Sequence, residues 1–76
     1  MPGVPKHVTI LDIPRYSPKM LEKIKLAALG YSNKEIANLV GVTENTIKNE
    51  FIRTYRKYGA NGRTELVARC IWAGII

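Results

Sequence analysis

The chain has 76 residues, room for one small domain and no second, with a core so marginal that a partner subunit or nucleic acid is expected to add to its stability. Twelve Lys and Arg against six Asp and Glu give a formal net charge of +6 and a pI near 9.8, a balance that suits a polyanionic partner. The single cysteine, Cys70, excludes an intrachain disulfide or a cysteine zinc cluster, and neither a membrane-spanning apolar run nor a secretory h-region is present, so a soluble protein of the reducing cytoplasm is expected.

Residues 1–16, MPGVPKHVTILDIPRY, hold three of the four prolines and read as an extended arm, loosely packed or disordered, around a VTIL run with no partner strand. His7 in that arm has no second ligand or nucleophile beside it, so neither a metal nor a catalytic role is expected. The folded domain is expected over 17–76. Its first helix opens with Ser17 as cap, Pro18 at the first helical position and Tyr16 placed to staple onto Leu21. Leu21, Ile24, Ala28 and Leu29 are its expected core face, and Gly30 ends it.

The second helix starts at or just after Ser32, which with Glu35 forms a capping box. Ile36, Ala37, Leu39 and Val40 supply its apolar face, and Gly41 stops it in a left-handed conformation that costs glycine no Cβ clash. Only Val42 then intervenes before Thr43, an N-cap for a third helix, so the connection is a sharp turn between two packed helices. The small Ala37 belongs where those helices approach closely.

The third helix is expected over about 44–58. At about 100° per residue, Ile47, Phe51, Tyr55 and Tyr58 share one face with Thr54 between them, and this is the core side. Opposite lie Asn45, Asn49, Ile52 and Arg56, with Lys48 on one shoulder and Thr46, Glu50, Arg53 and Lys57 on the other. Asn and Arg match adenine and guanine edges, Ile52 suits a thymine methyl, and basic residues farther along the helix suit phosphates. Between Lys48 and Arg63 stand five basic residues and one acid, a net +4 concentrated on this helix and its end. A membrane surface is not the expected partner, because the apolar face is needed to close the core.

After Gly59 the ANGRT stretch is a loop and a cap, and Leu66, Val67, Cys70, Ile71 and Ala73 recur at helical spacing up to Gly74. Leu66, Cys70 and Ala73 form one stripe of this fourth helix. Val67 and Ile71 widen it and Trp72 lies on the other flank, so Val67, Ile71 and Trp72 are candidates for self-association, or else for simple wrapping of the core. Cys70 reads as a small buried apolar residue.

From Tyr16 to Ile76 the chain resembles the LuxR-type (GerE-like) helix-turn-helix domain of bacterial transcription regulators. The resemblance is carried by Ser17-Pro18, SNKEIA (32–37), a glycine turn, Thr46-Ile47-Lys48-Asn49, YRK-x-G (55–59) and RTELV (63–67). It implies an all-α, four-helix domain whose third helix enters the major groove of double-stranded DNA and whose fourth pairs two subunits as a homodimer on a two-fold site. It further implies base reading by Lys48, Asn49, Ile52 and Arg53, a phosphate contact by Thr46, and Arg63 near the backbone. With Asn45, Arg56, Lys57 and Lys34 these make up the expected DNA-contact set. RNA polymerase is a further expected partner, the bacterial nucleoid the expected place, and no cofactor, metal or small-molecule ligand is expected.

Two positions depart from the family pattern. Met20 stands where an acid is common, so the reciprocal half of a capping box is missing from the first helix. Glu50 stands where the family usually carries a neutral or basic residue, and a carboxylate there repels phosphates. Its expected partner is Arg53, three residues on, with a cytosine amino group as the other acceptor role open to it. A second function stays open beside DNA reading: the fold as a protein-interaction module docking on a polymerase subunit or another regulator. Catalysis is not expected, since no nucleophile with a base, metal cluster or phosphate-cradling glycine loop is visible.

Overall fold

The computed structural model describes residues 16–76, so the expected arm over residues 1–16, with His7, lies outside the described residues except for Tyr16, which packs on the domain. Four helices follow in order: α1 (Pro18–Ala28), α2 (Asn33–Val40), α3 (Glu44–Tyr58) and α4 (Arg63–Trp72), with no strand among the described residues. The all-α expectation holds.

Each helix begins and ends on identifiable chemistry. Ser17 Oγ accepts from the Met20 backbone N–H at 3.1 Å. At α2 the capping box is complete: Glu35 N–H donates to Ser32 Oγ at 3.1 Å and Ser32 N–H donates to Glu35 Oε1 at 3.0 Å. The Ser32 donors hold the Glu35 carboxyl below its ordinary range. α1 closes with Tyr31 N–H on the Leu26 carbonyl and Gly30 N–H on the Ala27 carbonyl, a Schellman pair that puts Gly30 at φ 94°.

Nine residues are buried among those described: Ile24, Ala27, Ile36, Ala37, Ile47, Phe51, Ala60, Leu66 and Cys70. They come from all four helices and the loop before α4, so no helix has a core of its own. Two expectations for the apolar faces need correction. On α1 Ala27 joins Ile24 in the core, while Ala28 is exposed and Leu29 is 75% exposed, because the helices packed on α1 cover the Ile24–Ala27 side and Ala28 lies about 100° around from Ala27. On α2, Leu39 is 60% exposed, whereas Val40, also expected on that face, is half-buried against the core. On α3 the core side is as expected, with Ile47 and Phe51 buried and Thr54, Tyr55 and Tyr58 half-buried.

Tyr16 packs its ring edge-on against Tyr58, centroids 4.9 Å apart, and joins the N-terminal side of the domain to the end of α3. Its hydroxyl is buried beside the Cys70 thiol. Burial, then the adjacent Cys70, raises the Tyr16 phenol above its ordinary value, and burial raises Tyr55 as well. Burial also raises the Cys70 thiol, which keeps it protonated and inert, as expected of a packing residue.

These shifts fix the direction of an alkaline effect. In the unfolded chain the Cys70 thiol ionises near about 8.5 and both phenols near about 10, and in the folded protein all three ionise higher, so the folded state loses stability as pH rises past about 8.5 and more steeply past about 10. Urea midpoints should stay level up to about pH 8 and then fall, more steeply above about pH 10, and Tyr16→Phe should flatten that steeper part of the fall.

Candidate nucleic-acid interface

The turn between α2 and α3 is made by two residues. Gly41 adopts φ 78° and donates its N–H to the Ala37 carbonyl at 2.9 Å, and Val42 N–H reaches the same oxygen at 3.0 Å. A Cβ at Gly41 would meet nothing within 4 Å, so the position requires glycine for its left-handed backbone and not for space. Thr43 then caps α3, its Oγ1 accepting from Thr46 N–H at 3.2 Å and lying 2.8 Å from Thr46 Oγ1. Ala37, 2% exposed, allows the two helices to close on each other.

With Ile47 and Phe51 turned into the core, the outer face of α3 is fixed in direction. Thr46, Asn49, Ile52, Arg53 and Arg56 line one open surface groove along it. Asn49, Arg53 and Arg56 are exposed, while Thr46 and Ile52 are half-buried at its floor. Asn45 is exposed in the first turn but is not part of the lining, and Lys48 is exposed on the far shoulder, about 100° around the helix from Asn49. Lys57 lies with Nζ 5.5 Å from the centroid of the Tyr58 ring. Lys34 is exposed in the first turn of α2, away from the groove lining.

Two expected roles change. Glu50 does not pair with Arg53. Its Oε2 lies 2.5 Å from Lys23 Nζ on α1, the two side chains being 24% and 13% exposed. The physical reason is direction: Glu50 leans toward α1, where Lys19, Glu22, Lys23, Val40 and Val42 form a depression with it, and Arg53 leans into the outer groove. Arg63 is likewise engaged within the domain. Its guanidinium donates to the Ala27 carbonyl at 3.0 Å and to the Tyr31 carbonyl, which caps the C-terminal end of α1.

Arg69, which carried no expected role, does the same for α3. Its guanidinium donates to the Tyr58 carbonyl, to the Gly59 carbonyl at 3.2 Å and to Glu65 Oε1 at 2.6 Å. Glu65 Oε2 also accepts from Asn61 N–H at 2.9 Å, which organises the loop into α4 where Gly62 offers no side-chain cap. Glu65 and Arg69 are four residues apart on one helix, a spacing that signals the pair in the sequence. Nothing local signals Lys23, which is 27 residues from Glu50.

On α4, Leu66 and Cys70 are buried, Val67 is half-buried against the core, and Ile71 and Trp72 are 57% and 40% exposed. The described residues hold no group of three or more His, Cys, Asp or Glu placed to bind a metal, and no helix is long and apolar enough to cross a membrane.

Two helices joined by a glycine turn, the second holding a fixed polar and basic face outward, define a helix-turn-helix domain. The description "bacterial regulatory proteins, luxR family" matches residues 16–70, and the chain belongs to that family of transcription regulators. It is 42% identical over 53 residues to the transcriptional regulatory protein YdfI of Bacillus subtilis, covering 70% of this chain and 25% of that protein. It is 36% identical over 62 residues to RpaR of Rhodopseudomonas palustris, an HTH-type quorum sensing-dependent transcriptional regulator, covering 82% of this chain and 26% of that one. The chain thus spans about a quarter of the length of these relatives. No solved structure matches it.

Removal of the α3 end clamp should be measurable. Arg69→Met should cost about 2 kcal/mol, read as a lower urea midpoint with an unchanged slope, because hydrogen bonds from a charged group are lost together with partly buried carbonyl partners. Arg69→Lys should recover little of it, since an ammonium lacks the planar fork that spans adjacent acceptors.

Proposed function

We propose that this domain binds double-stranded DNA sequence-specifically, as the DNA-reading part of a transcription regulator, with α3 in the major groove. The observation that carries the reading is the convergence of Thr46, Asn49, Ile52, Arg53 and Arg56 in one open groove on the outer face of α3, opposite the buried Ile47 and Phe51. Donors, a bidentate guanidinium and an apolar contact for a thymine methyl are the side-chain chemistry that base edges require. Asn49, Ile52 and Arg53 face the bases in this reading, with Lys48 reaching in from the shoulder. Thr46, Arg56 and Lys57 hold phosphates, with Asn45 and Lys34 beside the backbone. Arg63 contributes by fastening α1 rather than by contacting DNA.

The domain acts as a homodimer through α4, two copies of α3 entering successive major grooves about 34 Å apart. Ile71 and Trp72 form the contact, being the large apolar side chains that α4 leaves exposed. Val67 is half-buried against the core, which makes it a poor probe of pairing.

Selection of bound sequences from a random duplex pool, at low and at raised salt, tests DNA binding and half-site spacing together. A two-fold site with half-sites one turn apart is expected, and recovery of an unselected pool would refute the reading. Arg53→Ala or Lys48→Ala should cost about 1 to 3 kcal/mol at the selected site, whereas Arg56→Ala or Lys57→Ala should weaken all sequences alike. Lys48→Ala with unchanged site preference would remove Lys48 from the base readers. Ile71→Glu should leave the monomer folded by circular dichroism while it lowers affinity for the two-half-site duplex but not for a single half-site.

A further inference from the structure

Glu50 stands four residues after Thr46 and three before Arg53, so on the helix surface it is the neighbour of two residues that line the outer groove of α3. A phosphate held along the Thr46–Arg53 edge would lie well within a screening length of about 8 Å from that carboxylate. The carboxylate, however, is engaged across the helix interface by Lys23 Nζ at 2.5 Å, with both side chains largely withdrawn from water. The other charged groups facing the same depression, Lys19 and Glu22, oppose each other. The local field beside the groove is therefore neutral with Lys23 in place and negative without it.

We propose that Lys23 is a positioning residue for DNA binding that acts through Glu50: it neutralises the acid on the groove edge of α3 and holds it toward α1, so that phosphates can approach the helix. Lys23 itself touches no DNA. The inference rests on the DNA-binding reading given above and adds to it a residue from α1, outside the helix-turn-helix.

Four proteins decide the matter: the wild type, Lys23→Met, Glu50→Gln and the double variant. Affinities are measured by fluorescence anisotropy on the selected duplex and on a scrambled duplex of equal length. Lys23→Met should weaken binding to both duplexes by about tenfold at low salt, with the gap narrowing as salt is raised, because the effect is a screened repulsion. Glu50→Gln alone should bind both duplexes as tightly as the wild type or up to about tenfold tighter, with the preference between them unchanged. The double variant should return to within about threefold of the wild type, since no charge is then left to neutralise.

A double variant as weak as Lys23→Met would overturn the inference and make Lys23 a direct phosphate contact. A loss in Glu50→Gln confined to the selected duplex would overturn it too, and would make Glu50 a base reader. If Lys23→Met fails to fold, the exchanged pair, Lys23→Glu with Glu50→Lys, takes its place: it should fold and bind at least as tightly as the wild type, and weaker binding by the folded pair overturns the inference. A wild type that binds neither duplex refutes the DNA-binding reading itself. Wild-type binding without rescue in the double variant refutes only the role of Lys23.

Discussion

Arg69 holds the C-terminal end of α3 by the carbonyls of Tyr58 and Gly59, and on the same helix Arg63 holds the end of α1 by those of Ala27 and Tyr31. Two cations set six residues apart on α4 thus donate to carbonyls at the ends of two other helices, each placed where the helix dipole is negative. The arrangement matters because the core is small. Nine buried residues, two on each of the four helices and Ala60 in the loop before α4, leave each helix only two buried anchors, and polar fastening at the ends supplies the direction that packing alone leaves loose. α4 is a strap across the domain as well as a candidate contact between copies.

The outer face of α3 inherits its rigidity from this arrangement. One end of the helix is set by the Gly41 turn and the Thr43 cap, the other by Arg69, and the middle by Ile47 and Phe51 beneath it. The groove residues Asn49, Arg53 and Arg56 therefore stand on a helix whose axis and rotation are both fixed before any ligand arrives. Their side chains remain in water and must still be ordered on binding, at a cost of about 0.5 to 1.5 kcal/mol for each long side chain. The backbone carrying them needs no further ordering. That division, a fixed helix with side-chain ends in water, suits the DNA-reading role proposed for this face.

Much of the fold was legible because its signals are local. Ser32 with Glu35, Gly41, Thr43 and the Ile47–Phe51 spacing each specify backbone geometry within four residues, and all are found as read. The misplaced positions arise where a long-range contact decides between neighbours. Ala27 and Ala28 have equal propensity and differ only by about 100° of rotation, so the packing of α4 against α1 chooses between them. On α2, Leu39 and Val40 both read as apolar-face residues, and only Val40 packs against the core. In the candidate site, the outer face followed from helical spacing and the family pattern, but the partners of Glu50 and Arg63 did not. Lys23 and Glu50 are 27 residues apart and Arg63 and Ala27 are 36 apart, and no periodicity in the chain connects them.

These long-range partners also change how the charge of the domain is understood. Read along the sequence, Lys48 to Arg63 carries a net +4, with Glu50 as a blemish on it. In the folded domain Arg63 is turned inward to helix carbonyls, which leaves Lys48, Arg53, Arg56 and Lys57 as the exposed cations of that segment. Glu50 is matched by Lys23 from outside it, so the outward-facing charge is still about four. Arg53 and Arg56 stand at the groove, and Lys48 and Lys57 stand to either side of it. A total read from composition states that a polyanion is favoured. In the role proposed for Lys23, the ion pair across α1 and α3 decides which edge of the helix that polyanion approaches.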